Sequence, residues 1–297
     1  MKLKVNGVEL YFDVHGQQLV PVGNHMEERP TILLLHGGPG FDHSCFKPGL
    51  DQLADVAQLV YLDMRGNGRS ESGPVDGWNI QTWAEDIAAF CQALSIRRPI
   101  LMGYSFGGIM ALATAVRFPE LASGLVIVSS AAYLEPALIV QRFGELGGAL
   151  AAEAARAMFE DPSDPLLRAD YYEHCMPLYA RTASDPAHEG RTVMNPDVTT
   201  HFFRPGGEFW RLDFLDELRR LHLPTLMLHG RMDPIVPVEF AQKTVASFPD
   251  GVARLHVFDN CSHDILLDKP ERALELVREF VVTGKASSHA DALRAAA

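Results

Sequence analysis

The sequence predicts an α/β protein with a mostly parallel central sheet and helices on both of its faces. Short apolar runs recur along the chain, as is typical of strands that are buried on both faces of a parallel sheet. Stretches with apolar residues at helical spacing follow several of these runs, which is the pattern of strand–helix–strand units. With 297 residues, the chain can form one large α/β domain or a core with an insertion.

The predicted strands begin with a hairpin. Residues 2–14 alternate polar and apolar around Asn6-Gly7, a pair that favours a tight hairpin turn. Residues 17–30 are polar, contain two prolines and are expected to form a loop. The continuous apolar runs that we interpret as strands are residues 31–35, 58–63, 100–104, 124–130, 225–229 and 253–258.

Helical spacing predicts helices over residues 79–95 and 270–282, and another directly after Ser105. Residues 131–222 contain no buried strand pattern. They carry two helical stretches instead, at 145–159 and 166–180, followed by a loop with several prolines and glycines.

We therefore expect an α/β core made of residues 1–130 and 223–297, and a helical cap of residues 131–222 inserted after the sixth strand. Ligands of such sheets bind beyond the carboxyl ends of the strands.

Composition and charge restrict the class of partner. The formal net charge of −12 argues against nucleic acids and anionic membranes as partners. The first residues lack the apolar run of a signal peptide, and no stretch is long enough to span a bilayer. The four cysteines are scattered without C-x-x-C spacing, so we expect no disulfide framework, no zinc site and a cytoplasmic location.

Ser105 stands in the pattern G-x-S-x-G, between Gly103 and Gly107. The pattern alone is common, and a glycine-rich turn would also fit it. Here a strand precedes it and a helix follows it, which is the context of a strained turn that exposes a nucleophilic serine.

A serine nucleophile needs a base, and the base needs an acid that holds its tautomer. Asp233 follows the strand at 225–229, and His263 follows the strand at 253–258. An Asp before a proline is also a common turn residue, and a loop histidine is often only a surface residue. Because the order Ser, Asp, His suits this architecture, we predict a Ser105–His263–Asp233 triad, with Asp259 and Asp264 as alternative acids.

Two backbone N–H groups should bind the negative oxygen of the tetrahedral intermediate. Phe106 follows the nucleophile at a helix N-terminus and supplies one. The glycine-rich turn at residues 36–40 is the candidate for the other, although a plain tight turn would look the same. The sequence has no H-E-x-x-H motif, no P-loop and no G-x-G-x-x-G spacing, so we expect no metal and no cofactor.

Over nearly its whole length the chain resembles the α/β-hydrolase superfamily. H-G-G-P-G at residues 36–40, together with D-M-R-G-N-G-R-S at 63–70, resembles the proline iminopeptidase family, whose members carry H-G-G-P-G and D-Q-R-G-x-G-x-S. The resemblance implies that Gly38 supplies the second oxyanion N–H group and that residues 131–222 cover the active site.

Aminopeptidases of this family hold the substrate's α-ammonium with carboxylates, because a buried cation needs a charged partner. Glu208 has the setting of the family's cap glutamate, although a solvated carboxylate at a helix start would look alike. Two departures weaken the analogy: Pro234 follows the predicted catalytic Asp where some members have glutamate, and Met64 replaces the usual Gln. Aromatic residues that could line an apolar acyl or prolyl pocket, or belong to the core, are Phe41, Tyr104, Phe106, Phe209 and Trp210.

Three functions remain open. The first is a cofactor-free serine hydrolase of small esters or amides, with proline-iminopeptidase-like cleavage of a small molecule or short peptide. The second is a carboxylesterase or lactonase without aminopeptidase activity, which Pro234 favours, while the G-Y-S-F-G turn resembles esterases and lactonases as much as peptidases. The third is a ligand receptor on a hydrolase fold that turns over slowly. C–C bond hydrolases use the same triad and remain a minor alternative, and the oligomeric state is not predicted.

Overall fold

The structure is a computed structural model that describes residues 1–284; the end of the predicted core, 285–297, lies outside the described residues. The strands of this part are β1 (Lys2–Val5), β2 (Val8–His15), β3 (Leu19–Val22), β4 (His25–Glu28), β5 (Thr31–Leu35), β6 (Gln58–Leu62), β7 (Ile100–Tyr104), β8 (Gly124–Val128), β9 (Thr225–Gly230) and β10 (Ala253–Phe258). The α-helices are α1 (Ile80–Ala93), α2 (Phe106–Arg117), α3 (Pro136–Glu160), α4 (Pro165–His174), α5 (Pro186–Arg191), α6 (Pro196–Phe203), α7 (Leu215–Leu218), α8 (Val238–Ala246), α9 (Ile265–Asp268) and α10 (Pro270–Thr283).

Eight strands form the main sheet, in the order β1-β2-β6-β5-β7-β8-β9-β10. β1 pairs with β2 and β2 with β6 in antiparallel register, and all other pairs of this sheet are parallel. This confirms the predicted fold class. The carboxyl ends of β5, β7, β9 and β10 therefore meet at one edge of the sheet, where a ligand site is expected.

The prediction of a loop at residues 17–30 is wrong. β3 and β4 form a separate two-stranded hairpin there, in which Val22 pairs with His25 across a turn that begins with Gly23 at a φ of 59°. Seven of the eight residues of these two strands are exposed, and Val20 alone is buried. Because almost no apolar face is covered, the sequence has no alternation of polar and apolar residues from which to predict these strands.

Side chains of the parallel strands alternate between two apolar clusters, one on each face of the sheet. Leu33 and Leu35 of β5 pack into the cluster that α1 and α2 cover. Ile32 and Leu34 of the same strand pack into the cluster that α10 covers. This two-sided burial holds the carboxyl ends of the strands in fixed positions.

A helical insert of residues 131–222 connects β8, the sixth strand of the main sheet, to β9. We propose that this insert is the predicted cap and that residues before and after it form the core. α3 begins at residue 136 rather than 145, with a proline in its first turn, and it is kinked at Gly148, whose φ is 80°. Among the described residues, no helix combines the length and the apolar character that crossing a membrane requires.

Candidate active site

Ser105 occupies a sharp turn between β7 and α2, with φ 54° and ψ −121°. This conformation is rare for a residue with a side chain and is maintained by the surrounding structure. A Cβ atom on Gly103 would lie 2.1 Å from the carbonyl oxygen of Gly107, and one on Gly107 would lie 1.9 Å from that of Leu35. The positions two residues before and two residues after Ser105 must therefore be glycine for the turn to form, as the G-x-S-x-G pattern predicts.

Asp233 and His263, which follow β9 and β10, form a buried hydrogen bond of 2.7 Å between Oδ2 and Nδ1. Asp233 Oδ1 accepts the backbone N–H groups of Ile235 at 3.0 Å and Val236 at 2.8 Å. The carboxylate side chain is fully buried, so these contacts fix its orientation. A carboxylate on Nδ1 keeps the proton on that nitrogen and leaves Nε2 as the basic atom of His263.

Two aromatic rings contact the ring of His263. The ring of Tyr104, the residue before Ser105, has its centroid 5.4 Å from that of His263. On the insert side, the ring of Tyr179 contacts His263 edge-on at 5.1 Å, and its hydroxyl lies 2.6 Å from that of Tyr171. Tyr179 was not predicted as a site residue, because one tyrosine in a helical segment gives no signal of contact with a distant histidine.

His229, which was also not predicted from the sequence, supports the loop that carries Asp233. Its Nε2 hydrogen donates to the carbonyl of Val236 at 2.6 Å, and the same nitrogen lies 3.6 Å from Asp233 Oδ2. Burial lowers the pKa of His229, although the charge of Asp233 acts in the opposite direction. We therefore describe His229 as a neutral imidazole that fixes the loop.

The glycine-rich turn after β5 lies against the serine, since a Cβ atom on Gly37 would come within 3.3 Å of the Cβ of Ser105. His36 is fully buried beneath it: Nδ1–H donates to the carbonyl of Gly37 at 2.7 Å, and Nε2 accepts the N–H of Met64 at 3.2 Å. Burial lowers the pKa of His36, and a neutral ring fits one donor and one acceptor.

The two predicted oxyanion donors lie on elements that flank Ser105. Gly38 has a φ of 122°, within the turn that packs on the serine. Phe106 is the first residue of α2, where N–H groups have no partner within the helix and the helix dipole favours negative charge. Their role in binding an oxyanion remains a prediction.

The D-M-R-G-N-G-R-S segment after β6 supports the turn. Asp63 Oδ1 accepts both the backbone N–H and the Nδ1–H of His43, at 3.0 and 2.7 Å, and Oδ2 accepts the N–H of Arg69 at 2.9 Å. Asn67 Oδ1 accepts the N–H of Gly40 at 2.7 Å. These bonds give the motif a structural role.

Asp42, His43 and Asp63 form a buried group whose potential metal-ligating atoms lie within 4.8 Å of one another. Each of them already has a partner in the protein. The carboxylate of Asp42 binds Arg69 at 2.6 Å and Ser44 at 2.5 Å, while His43 binds Asp63. Burial opposes ionisation of Asp63, but the bond from His43 lowers its pKa, which fits a paired carboxylate. The donor set is therefore used by the fold, and we assign no metal to it.

The predicted pocket residues fall into two groups. Tyr104 is half-buried beside His263, and half-buried Phe41 packs against the Gly38 turn. The ring of Phe209 is buried and stacks on Phe203 at 4.2 Å. Trp210 packs on Phe159 at 4.6 Å. The rings of Phe209 and Trp210 thus have partners within the insert, and a substrate role for any of these residues remains a prediction.

Glu208 lies at the start of α1, where its Oε2 accepts the backbone N–H of Ile80 at 2.8 Å. It also lines a surface groove with Ala84 and Ala113. Ala113 is eight residues after Ser105 in α2, or roughly 12 Å along the helix axis. This position gives Glu208 a capping role, and contact with a substrate ammonium remains a prediction.

A family model described as the alpha/beta hydrolase fold matches residues 30–270. The chain belongs to this family. The α/β hydrolase is 26% identical to the proline iminopeptidase of Lactobacillus crispatus (strain ST1) over 301 residues, which cover 94% of this chain and 97% of the relative. It is 29% identical to the 2-hydroxymuconate semialdehyde hydrolase of Pseudomonas sp. (strain CF600) over 267 residues, or 86% and 88% of the two chains.

A solved structure, the proline iminopeptidase of Mycobacterium smegmatis, matches this α/β hydrolase with a TM-score of 0.74. Its sequence is 25% identical, and the match covers 95% of this chain and 97% of the other. These similarities confirm the predicted resemblance to the proline iminopeptidases.

Proposed function

We propose that the protein is a serine hydrolase that cleaves a small ester or amide through an acyl-enzyme. The observation that carries the proposal is the buried 2.7 Å bond between Asp233 and His263, beside the strained turn of Ser105. In this mechanism the Ser105 hydroxyl attacks the substrate carbonyl, and its proton passes to Nε2 of His263. Asp233 stabilises the resulting imidazolium.

The tetrahedral intermediate carries its negative charge on the former carbonyl oxygen. The N–H groups of Gly38 and Phe106 bind this oxygen, and His263 then gives its proton to the leaving alcohol or amine. Water, deprotonated by the same histidine, attacks the acyl-enzyme. The acid product leaves, and the proton returns to Ser105. No further reagent is needed, so the chemistry balances without a metal or cofactor.

For the substrate we propose proline-iminopeptidase-like cleavage first, because relatives of that name match 94% and 95% of the chain. A carboxylesterase or lactonase is the second candidate. The position of Glu208 favours it, since one carboxylate oxygen already caps α1 and the groove beside it is lined by Ala113, eight residues after Ser105 in α2. The third candidate, a ligand receptor, would require a site that binds its ligand but hydrolyses it very slowly.

The deciding experiment compares turnover of proline p-nitroanilide, its N-acetylated form and p-nitrophenyl butyrate by the wild type and by Ser105→Ala. Loss of all turnover in a folded Ser105→Ala variant is expected. Retained turnover would overturn the serine mechanism, and multiple turnovers by the wild type would exclude a pure receptor.

Glu208→Gln separates the two substrate classes. The amide oxygen still accepts the N–H of Ile80, so the helix cap is kept while the charge is removed. An ammonium anchor predicts a large rise in KM for the free-amine proline substrate and no change for the ester. An unchanged KM, or an enzyme that cleaves the ester alone, would favour the esterase or lactonase.

A further inference from the structure

The carbonyl groups of the glycine-rich turn are held by the helical insert. Thr199, in α6, donates its Oγ1 hydrogen to the carbonyl of Pro39 at 2.7 Å. Asn195, the N-cap residue of α6, donates its backbone N–H to the carbonyl of Gly40, also at 2.7 Å. Both bonds join residues that are more than 150 positions apart, so they connect two separate parts of the fold.

The core holds the other side of the same turn. Asn67 of the core accepts the N–H of Gly40. The side chain of Asn195 attaches the insert to the core nearby, by donating to the carbonyl of Gly66 at 2.8 Å. The fit is close: a Cβ atom on Gly40 would lie 2.3 Å from Oγ1 of Thr199 and 2.6 Å from the carbonyl oxygen of Asn195. The turn is thus clamped between core and insert.

Such a clamp matters because the turn cannot fix its own shape. Gly38 and Gly40 have φ values of 122° and 96°, a region in which glycine moves with little steric restraint. The N–H of Gly38 belongs to the Gly37–Gly38 peptide, whose carbonyl His36 holds, so its direction depends on that bond together with the bonds that hold the next peptides, at Pro39 and Gly40. An oxyanion donor must be oriented before the reaction to be effective.

We propose that Thr199 and Asn195 are positioning residues, through which the insert orients the oxyanion turn of the core. This inference rests on the proposed serine-hydrolase function. It assigns the insert a part in transition-state stabilisation that is separate from substrate binding, since neither side chain has to touch the substrate.

Thr199→Val tests the proposal, because valine has the shape of threonine without the hydroxyl. Thr200→Val is the matched control: Thr200 is the next residue of α6, is also half-buried, and directs its hydroxyl to Pro162 at 3.4 Å, within the insert. Thr199→Val should lower kcat for p-nitrophenyl butyrate by about 10- to 100-fold, with KM changed less than twofold. Thr200→Val should leave both unchanged.

Affinity for butylboronic acid, which forms a tetrahedral adduct with a serine, should fall in Thr199→Val by the same factor as kcat. Thr199→Ser, which keeps the hydroxyl, should restore both values even if Thr199→Val folds poorly. Equal kcat and boronate affinity in wild type and Thr199→Val would overturn the proposal, as would a lower melting temperature with unchanged activity per folded molecule. Failure of the serine mechanism itself would show separately, as turnover by Ser105→Ala.

Discussion

The two oxygens of the Asp233 carboxylate have different partners, and this fixes which one faces His263. Oδ1 accepts two backbone N–H groups of its own loop, and Oδ2 is left for Nδ1 of the histidine. Burial keeps water away from both oxygens. The acid is therefore held in one orientation by main-chain contacts, before any substrate binds.

The two alternative aspartates have other contacts. Asp259 pairs with Arg231 at 2.5 Å and is exposed to solvent. Asp264 accepts the N–H of Leu267 at 3.2 Å and caps α9. Asp233 contacts Nδ1 of His263 directly at 2.7 Å, so the geometry favours Asp233 as its acid.

Asp233→Asn should lower kcat by about 10³- to 10⁴-fold, because an amide NH₂ group facing Nδ1 favours the wrong tautomer of His263. Asp259→Asn serves as the control, since it removes a charge of the same kind at the surface. Its kcat should stay within twofold of the wild type. Steady-state kinetics on p-nitrophenyl butyrate measure both, and equal losses in the two variants would contradict the assignment.

Asp268, at the end of α9, joins the helical insert to the loop that carries His263. Its Oδ1 accepts the N–H groups of Arg181 and Thr182 at 2.7 and 2.8 Å, and its Oδ2 accepts that of Ser262 at 2.8 Å. The N–H of Asp264 adds a bond to the carbonyl of Tyr179 at 2.8 Å. One carboxylate at the end of α9 thus fixes a second point of attachment of the insert.

Asp268→Ala should lower the free energy of unfolding by about 2 kcal/mol, because three N–H groups lose a charged acceptor and two of them can turn to water instead. Urea denaturation measures the change. Asp161→Ala is the control, since that carboxylate is exposed and accepts from neighbouring Ser163. If Asp161→Ala lowers the free energy of unfolding as much as Asp268→Ala, the bonds of Asp268 have no specific role in attaching the insert.

How far the sequence predicts these elements depends on burial. The first hairpin is confirmed because Asn6-Gly7 lies between strands with a buried face, whereas the exposed β3–β4 hairpin left no pattern. The parallel strands are predictable because they are buried, and the residues that directly follow them can then be placed at the carboxyl end of the sheet. Contacts between the insert and the core, such as Thr199 with Pro39, are not, because they depend on how helices pack over long sequence separations.

Two fully buried histidines, His36 and His229, link the stability of the protein to pH. Burial lowers the pKa of both His36 and His229. At pH 7.5 neither binds a proton in the folded or the unfolded chain. Below about pH 6.5 the unfolded chain binds protons that the folded chain does not. The free energy of unfolding therefore decreases as the pH is lowered, by at most about 1.4 kcal/mol per pH unit for each histidine.

His229→Gln should make this dependence shallower, because glutamine can still donate to the carbonyl of Val236 but does not titrate. Urea denaturation at pH 7.5, 6.5 and 5.5 gives the slope. His25→Gln, at an exposed position of β4, should leave the wild-type slope unchanged. A His229→Gln slope equal to that of the wild type would contradict the assignment of His229 as a neutral buried group.

The bonds of α6 to the glycine-rich turn have a consequence for the exchange of parts between related enzymes. A chimaera that receives residues 131–222 from a relative acquires new neighbours for the carbonyl groups of Pro39 and Gly40. Such a graft changes the rate of the chemical step even when the transplanted segment never meets the substrate. A donor segment that keeps a hydroxyl at the place of Thr199 would transfer specificity without that loss of rate.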